Sequence, residues 1–212
     1  MYTLYGKKGS GSATTQIALD IVGAAYRIVD TASWAPNAAF AELLKANPLG
    51  QIPTLVLPDG GVLSESAAIL IHLGEAHPQS GLLPRAHQAR AQVLRGLVFI
   101  AANCYAAIGV IDFPERWCTD ADRDDALKER IRGAARQRLH AYWEMFADIF
   151  TARSYLGGER LSALDVHAAV VSRWSGARAH LEARRPGFYA TLMRIEAEPR
   201  VAAVFAQHWP PN

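Results

Sequence analysis

The chain has 212 residues, half of them hydrophobic, enough to bury the core of one large or two small domains. Its 22 Lys and Arg against 20 Asp and Glu leave a net charge of +2, too near balance to point to nucleic acid or an anionic membrane, so a small-molecule partner is expected. The opening MYTLYGKKGSGSATT lacks the basic, apolar and small-residue progression of a secretory signal, which predicts a cytoplasmic protein.

Tyr2 to Tyr5 reads as a short strand, and after a glycine-rich turn Thr14 to Gly23 carries helical spacing through Ile17, Ala18, Ile21 and Val22. Ala25 to Asp30 reads as a second strand, and the helix-length connection predicts that it pairs parallel with the first. Ala38 to Ala46 is a predicted helix stopped by Pro48. Thr54–Leu57 and Gly61–Leu63 flank Pro58, Asp59 and Gly60, a turn signal between antiparallel strands. Ser64 is a candidate cap for a helix running through Ile69, Leu70 and Leu73 to about His77. The order is βαβαββα, predicted over residues 1–79. A breaker-rich linker holding Ser80, Gly81 and Pro84 occupies 80–86, and residues 87–212 read as all-helical.

In that second part, His87 to Ile111 is a predicted helix. Its uncharged stretch, Gly96 to Ile111, is shorter than the ~20 residues a membrane span needs and reads as a core helix. Cys104 and Cys118 make no CxxC, so no disulfide framework is implied, and the histidines make no HxxxH or HExxH pair that would hold a metal. A charged helix is predicted from about Ala121 to Phe150. It carries a basic stripe of Lys128, Arg132 and Arg136 preceded by Asp120, Asp122, Asp124 and Asp125, read as a solvated face rather than a nucleic-acid surface. Ser162 three residues before Asp165 forms a capping-box variant at the head of an apolar helix, with His167 read as a bystander. Trp117, Trp143, Trp174 and Trp209 are expected to pack the helical part, with the lining of an apolar substrate pocket as the alternative role for any one of them.

The chemistry concentrates in GQIPTLVLPDGGVLSESAAIL, residues 50–70. An X-Pro bond is only ~0.5–1 kcal/mol less stable cis than trans, so Ile52-Pro53 is a candidate sharp turn that would bare the backbone of Ile52 to an extended peptide. Glu65 and Ser66 stand at a predicted helix N-terminus, which suits a carboxylate, while Glu65 suits an ammonium beside it. Together they would fit a small zwitterionic peptide; taken singly, the same residues would be a turn, a cap and a dipole partner.

The run NPLGQIPTLVLPDG followed by LSESAAILIHL resembles the glutathione transferase superfamily. The resemblance implies a thioredoxin-like glutathione-binding domain joined to an all-helical domain that lines an electrophile pocket, usually in a homodimer. It implies that Ile52 before a cis-Pro53 pairs with the cysteinyl part of glutathione, that Glu65 and Ser66 hold its γ-glutamyl end, and that Gln51 lies nearby. The family places its activating Tyr, Ser or Cys at or just after the end of the first strand, where this chain reads Gly9-Ser10-Gly11-Ser12. Gly11 falls where bacterial cysteine-type members keep their cysteine, so mixed-disulfide chemistry of that type is not expected. Ser12 is preferred to Ser10 as the activating hydroxyl because it can sit at the helix start, though it can equally be a plain cap. The glycine-serine loop lacks the Walker spacing and lysine of a phosphate loop. Tyr105 falls roughly where related bacterial transferases place a polar residue facing the site, with Asn103 and Cys104 beside it; a core ring is its alternative role. The expected activity is conjugation of glutathione, as co-substrate, to a small hydrophobic electrophile. The alternatives are glutathione-dependent peroxide or disulfide reduction, and a non-catalytic binding or regulatory protein.

Overall fold

The computed structural model describes residues 1–119 and 124–210. Strand β1 (Tyr2–Gly6) leads through a loop into helix α1 (Ser12–Val22), which Gly23 ends in the left-handed conformation, and β2 (Tyr26–Asp30) follows. A crossover of helical length forces parallel pairing, and β1 and β2 run parallel with Tyr2 opposite Tyr26 and Gly6 opposite Asp30. Helix α2 (Phe40–Ala46) precedes β3 (Thr54–Val56) and β4 (Val62–Ser64), an antiparallel hairpin. Its turn is held by the Gly61 amide donating to Asp59 Oδ1 at 2.9 Å and by Gly60 at φ +92°. The sheet order is β2-β1-β3-β4, with β3 antiparallel to β1.

Helix α3 (Ser66–Ala76) packs beside α1, and Ile17, Leu19, Ile69, Leu70 and Leu73 are buried in one core. Beyond a 3-10 turn at Pro78–Ser80 the elements of the described residues are helical: α4 (His87–Phe99), a π-helical turn (Ile100–Tyr105), α5 (Ala106–Asp112), a 3-10 turn (Pro114–Trp117), α6 (Asp125–Ile149), α7 (Ala163–Val171), α8 (Ala177–Arg184), α9 (Pro186–Glu196) and α10 (Pro199–His208). This is the thioredoxin-like plus all-helical architecture expected from the sequence. Helix α7 is buried at every position, as a helix apolar all round must be, and it joins the two halves by packing on α1 and α3 as well as on α4. Its start is fixed by the capping box: Ser162 donates from its amide and its hydroxyl to Asp165 Oδ2 at 2.8 and 2.5 Å, and the Leu156 amide donates to Asp165 Oδ1 at 2.7 Å.

Local expectations are adjusted at the heads of α3 and α1. Ser64 belongs to β4 and caps nothing; the residue before α3 is Glu65, whose side chain makes no cap bond. Helix α1 begins two residues before Thr14. The helical rod His87–Asp112 is longer than its uncharged stretch and passes the length and composition test for a membrane span, but Val93, Leu97, Ile100, Cys104 and Ile108 are buried in the core with Leu139, Trp143 and Phe146 of α6. Asp124 caps α6 through the Leu127 amide, whereas Asp120, Asp122 and the predicted helix start at Ala121 lie outside the described residues. Of the basic stripe, Lys128 pairs with Asp125 and Arg132 with Glu129, both within one helical turn.

Candidate functional site

A cavity of about 510 Å³ opens where the β1–α1 loop, the turn before β3 and the head of α3 face α5, α7 and the π-helical turn. Seven of the eight residues singled out from the sequence line it: Ser10, Gln51, Ile52, Pro53, Glu65, Ser66 and Tyr105. The Ile52-Pro53 bond is cis. Glu65 holds φ +66°, a conformation that costs a side-chain-bearing residue of order 1–3 kcal/mol and is met mainly where geometry serves a site. Ser66, buried, opens the first turn of α3, whose amides and dipole favour an anion there.

Ser12 is the residue that does not line the cavity. Its hydroxyl turns toward the end of β1: it donates to the Lys7 carbonyl at 3.2 Å, accepts from the Lys7 amide at 3.2 Å and lies 2.8 Å from Ser10 Oγ. Gly6 makes room for it, since a Cβ there would stand 2.6 Å from Ser12 Oγ. The preference for Ser12 over Ser10 therefore reverses: Ser10 faces the cavity, yet its own proton is directed to the Lys7 carbonyl at 2.6 Å. Both serines lock the loop.

Tyr105 brings an open hydroxyl from the helical half. Among the described residues it has no hydrogen-bond partner, and it lies directly against Gly11, where a Cβ would stand 3.3 Å from Tyr105 Cζ and closer still to the phenol oxygen. Position 11 thus has no side chain, and the space a side chain would fill is taken by a phenol from the helical half. Burial, with the nearby charges of Asp112 and Glu65, pushes the Tyr105 pKa up to about 12, so the group stays a proton donor across the physiological range. The π-helical turn that ends at Tyr105 shifts the helix face there, with Asn103 Nδ2 donating to the Phe99 carbonyl at 3.0 Å inside the turn. Cys104, one residue earlier, is buried in the core with its thiol pushed up to about 12 by burial, and neither Cys104 nor Cys118 lines the cavity.

Apart from Trp174, offered as a candidate pocket liner, sequence reasoning did not reach the rest of the lining. Trp34 and Leu49, both exposed, form one lip, and Asp112, Phe113 and Arg116 form the other, with the Arg116 guanidinium 4.0 Å from the Phe113 ring centre. Trp174 tilts against Tyr105 at 6.1 Å and His167 stacks parallel to it at 6.4 Å. His167, taken as a bystander of the capping box, is fully enclosed, has no hydrogen-bond partner on either ring nitrogen among the described residues, and is pushed down to about 3 by burial, so its ring is neutral. One half of the cavity is therefore polar and rich in backbone, and the other aromatic.

Comparison with known proteins gives the family and the fold. Residues 1–75 match the family model described as the N-terminal domain of glutathione S-transferase. The chain is 32% identical over 176 residues to an uncharacterized GST-like protein, YncG, of Escherichia coli K12, covering 82% of each. It superposes on a glutathione transferase homolog from Sulfitobacter, solved with bound glutathione, with a TM-score of 0.85 at 24% identity over 98% of both chains. It also superposes on a glutathione S-transferase from Methylobacterium radiotolerans, solved in complex with glutathione sulfonate, with a TM-score of 0.73 at 25% identity over 96% of this chain and 93% of the other.

Proposed function

Because this chain belongs to the glutathione transferase superfamily, we propose that it joins the thiolate of glutathione to a small apolar electrophile. The tripeptide lies along Ile52 and Pro53, its cysteinyl part pairing with the Ile52 backbone as an added strand pairs with a sheet edge. Glu65 receives the γ-glutamyl ammonium, and Ser66 with the first amides of α3 receives the adjoining carboxylate. Gln51 flanks the peptide. The electrophile occupies the aromatic half beside Tyr105 and Trp174.

A free thiol of pKa about 8.5 must fall by about two units to be mostly ionised at neutral pH, which corresponds to about 2.7 kcal/mol. One hydrogen bond to a charged acceptor contributes about 1.5–3 kcal/mol, so a single well-placed donor nearly suffices. In this reading the sulfur rests against Gly11 and the Tyr105 hydroxyl donates to it. A phenol held at about 12 does not give its proton up to the sulfur, so it acts as a standing donor. Ser10 and Ser12 hold the loop rather than the sulfur. The carbon–sulfur bond then forms as the leaving group departs with its electron pair, or, for an activated alkene, as the neighbouring carbon takes a proton from solvent.

The observation that carries this reading is the convergence of cis-Pro53, the positive-φ Glu65, Ser66 and an unpartnered phenol on one cavity. The test is calorimetric titration of glutathione at neutral pH, followed by turnover with a panel of aryl halides, activated alkenes, peroxides and disulfides. Saturable binding of one glutathione per chain, with conjugate formed from halides or alkenes, is expected. Product from peroxides or disulfides alone would replace conjugation by reduction, with a second glutathione resolving the product; no binding at millimolar glutathione would leave a non-catalytic member of the family.

A further inference from the structure

Building on that reading of the cavity, we propose that His208, in the last turn of α10, is a positioning residue that holds the Gly9–Gly11 loop in place to receive the thiol. The Gly9 amide donates to His208 Nδ1 at 3.2 Å. A backbone N–H only donates, so Nδ1 is the bare nitrogen and the proton sits on Nε2. Nε2 in turn lies 2.9 Å from Gln16 Oε1 on α1, and the Gln16 amide group donates to Gln207 Oε1 at 2.8 Å. The polarity of each bond fixes the next, and the chain of three ties the C-terminal helix to both the loop and α1 across almost the full length of the sequence.

The loop has few other supports. Gly9 takes φ +74°, Ser10 and Ser12 bond back within residues 7–12, and the Ser10 and Gly11 carbonyls accept the amides of Ala13 and Thr14 in α1, while His208 bonds the loop to the C-terminal helix. The same helix end also reaches the opposite wall. Trp209, 4.9 Å from the Phe205 ring, stacks under Arg173 at 4.5 Å and meets Trp174 edge-on at 6.5 Å, and Trp174 leans on Tyr105. The end of α10 therefore touches both the Gly9–Gly11 loop and the wall that carries Tyr105, the two supports of the place assigned to the sulfur. Burial and the neighbouring Lys8 charge both keep the imidazole neutral, the only form in which Nδ1 accepts.

Removing the acceptor leaves the half-buried Gly9 amide without its side-chain partner and frees the loop to shift. Asn retains an acceptor oxygen at nearly the place of Nδ1; Leu retains neither bond. The experiment compares His208→Leu and His208→Asn with the unaltered protein, reading hydrogen exchange at Gly9 and, separately, KM for glutathione and kcat. Expected for His208→Leu is exchange at Gly9 accelerated at least about ten-fold, the loss of one bond of about 1.4 kcal/mol, with KM for glutathione raised by a similar factor. His208→Asn is expected within about three-fold of the unaltered protein on both counts. Equal behaviour of the two variants, or unchanged Gly9 exchange in His208→Leu, overturns the proposal. The exchange measurement needs no glutathione, so a protein that fails to bind the tripeptide would refute the proposed function and still decide whether His208 holds the loop.

Discussion

Replacing Gly11 by Ala tests the contact on which the chemistry is built. Gly11 lies at φ −61° and ψ −13°, a conformation Ala adopts freely, so the backbone effect of the change is below about 1 kcal/mol. The added Cβ would stand 3.3 Å from Tyr105 Cζ and 3.6 Å from Cε2, and well inside contact with the phenol oxygen. Carbon atoms rest about 3.5–4.0 Å apart, so the hydroxyl must withdraw by about 1 Å. A displacement of that size at a reacting group costs about 10²-fold in rate, and overpacking of this kind costs about 1–3 kcal/mol of stability. The assay is steady-state turnover with a reactive electrophile, with glutathione affinity from calorimetry and thermal unfolding as a control. We expect kcat to fall about 10²-fold while the glutathione Kd changes less than about three-fold, since Ile52, Glu65 and Ser66 are untouched. Tyr105→Phe should lose a similar factor, and the double variant should lose no more than either alone, because both changes remove the same hydroxyl from the same place. Turnover of Gly11→Ala within about three-fold of the unaltered protein, or losses that add in the double variant, would refute the reasoning.

Three further outcomes follow from the same geometry. Glu65→Gly relieves the positive φ and should raise stability by about 1 kcal/mol, whereas Glu65→Ala should not; both should weaken glutathione at least about ten-fold by calorimetry, having lost a charged partner. His167 is held neutral, at about 3 against 6.5 when unfolded. Above pH 6.5 neither state carries the proton. As the pH falls below 6.5 the unfolded chain binds one that the folded chain refuses, so stability drops by about 1.4 kcal/mol per pH unit until about pH 3. Urea unfolding at pH 6.5 and 5.0 should show His167→Phe losing about 2 kcal/mol less than the unaltered protein, and equal losses would contradict the burial of a neutral ring. Ser12→Ala, which removes the hydroxyl's contacts with the Lys7 amide, the Lys7 carbonyl and Ser10, should lower stability by about 1 kcal/mol and leave kcat within about three-fold; a loss of 10²-fold in kcat would return the activating role to Ser12.

What the sequence made legible was set by contiguity. Pro53 and the Glu65-Ser66 pair lie within one short run, and the turn, hairpin and helix head that bring them to one cavity are local structures announced by their own residues. The parallel pairing of β1 with β2 follows from the length of the connection, and the capping box at Ser162 and Asp165 from a three-residue spacing. The other side of the site depends on distances that no local pattern encodes. Tyr105 reaches Gly11 because a π-helical turn interrupts an otherwise regular apolar helix, and nothing in Ile100–Tyr105 marks that slip. The choice between Ser10 and Ser12 turned on which hydroxyl faces inward at a loop-to-helix junction, which Gly6 decides by leaving space for Ser12. His208 and Gly9 stand 199 residues apart in sequence, and His167 reads from its neighbours as part of a helix start although its ring stacks on the candidate donor.

The central claim, that the Tyr105 hydroxyl stabilises a glutathione thiolate bound in this cavity, is tested most directly by the ultraviolet absorbance of the thiolate. Glutathione bound to the unaltered protein and to Tyr105→Phe is titrated with pH and its thiol pKa read from each curve. The account predicts a value about two units below the free thiol's 8.5 in the unaltered protein, and a return of at least about one unit toward it in Tyr105→Phe. The same depressed value in both proteins, or a bound thiol that ionises no more readily than the free one, would contradict it.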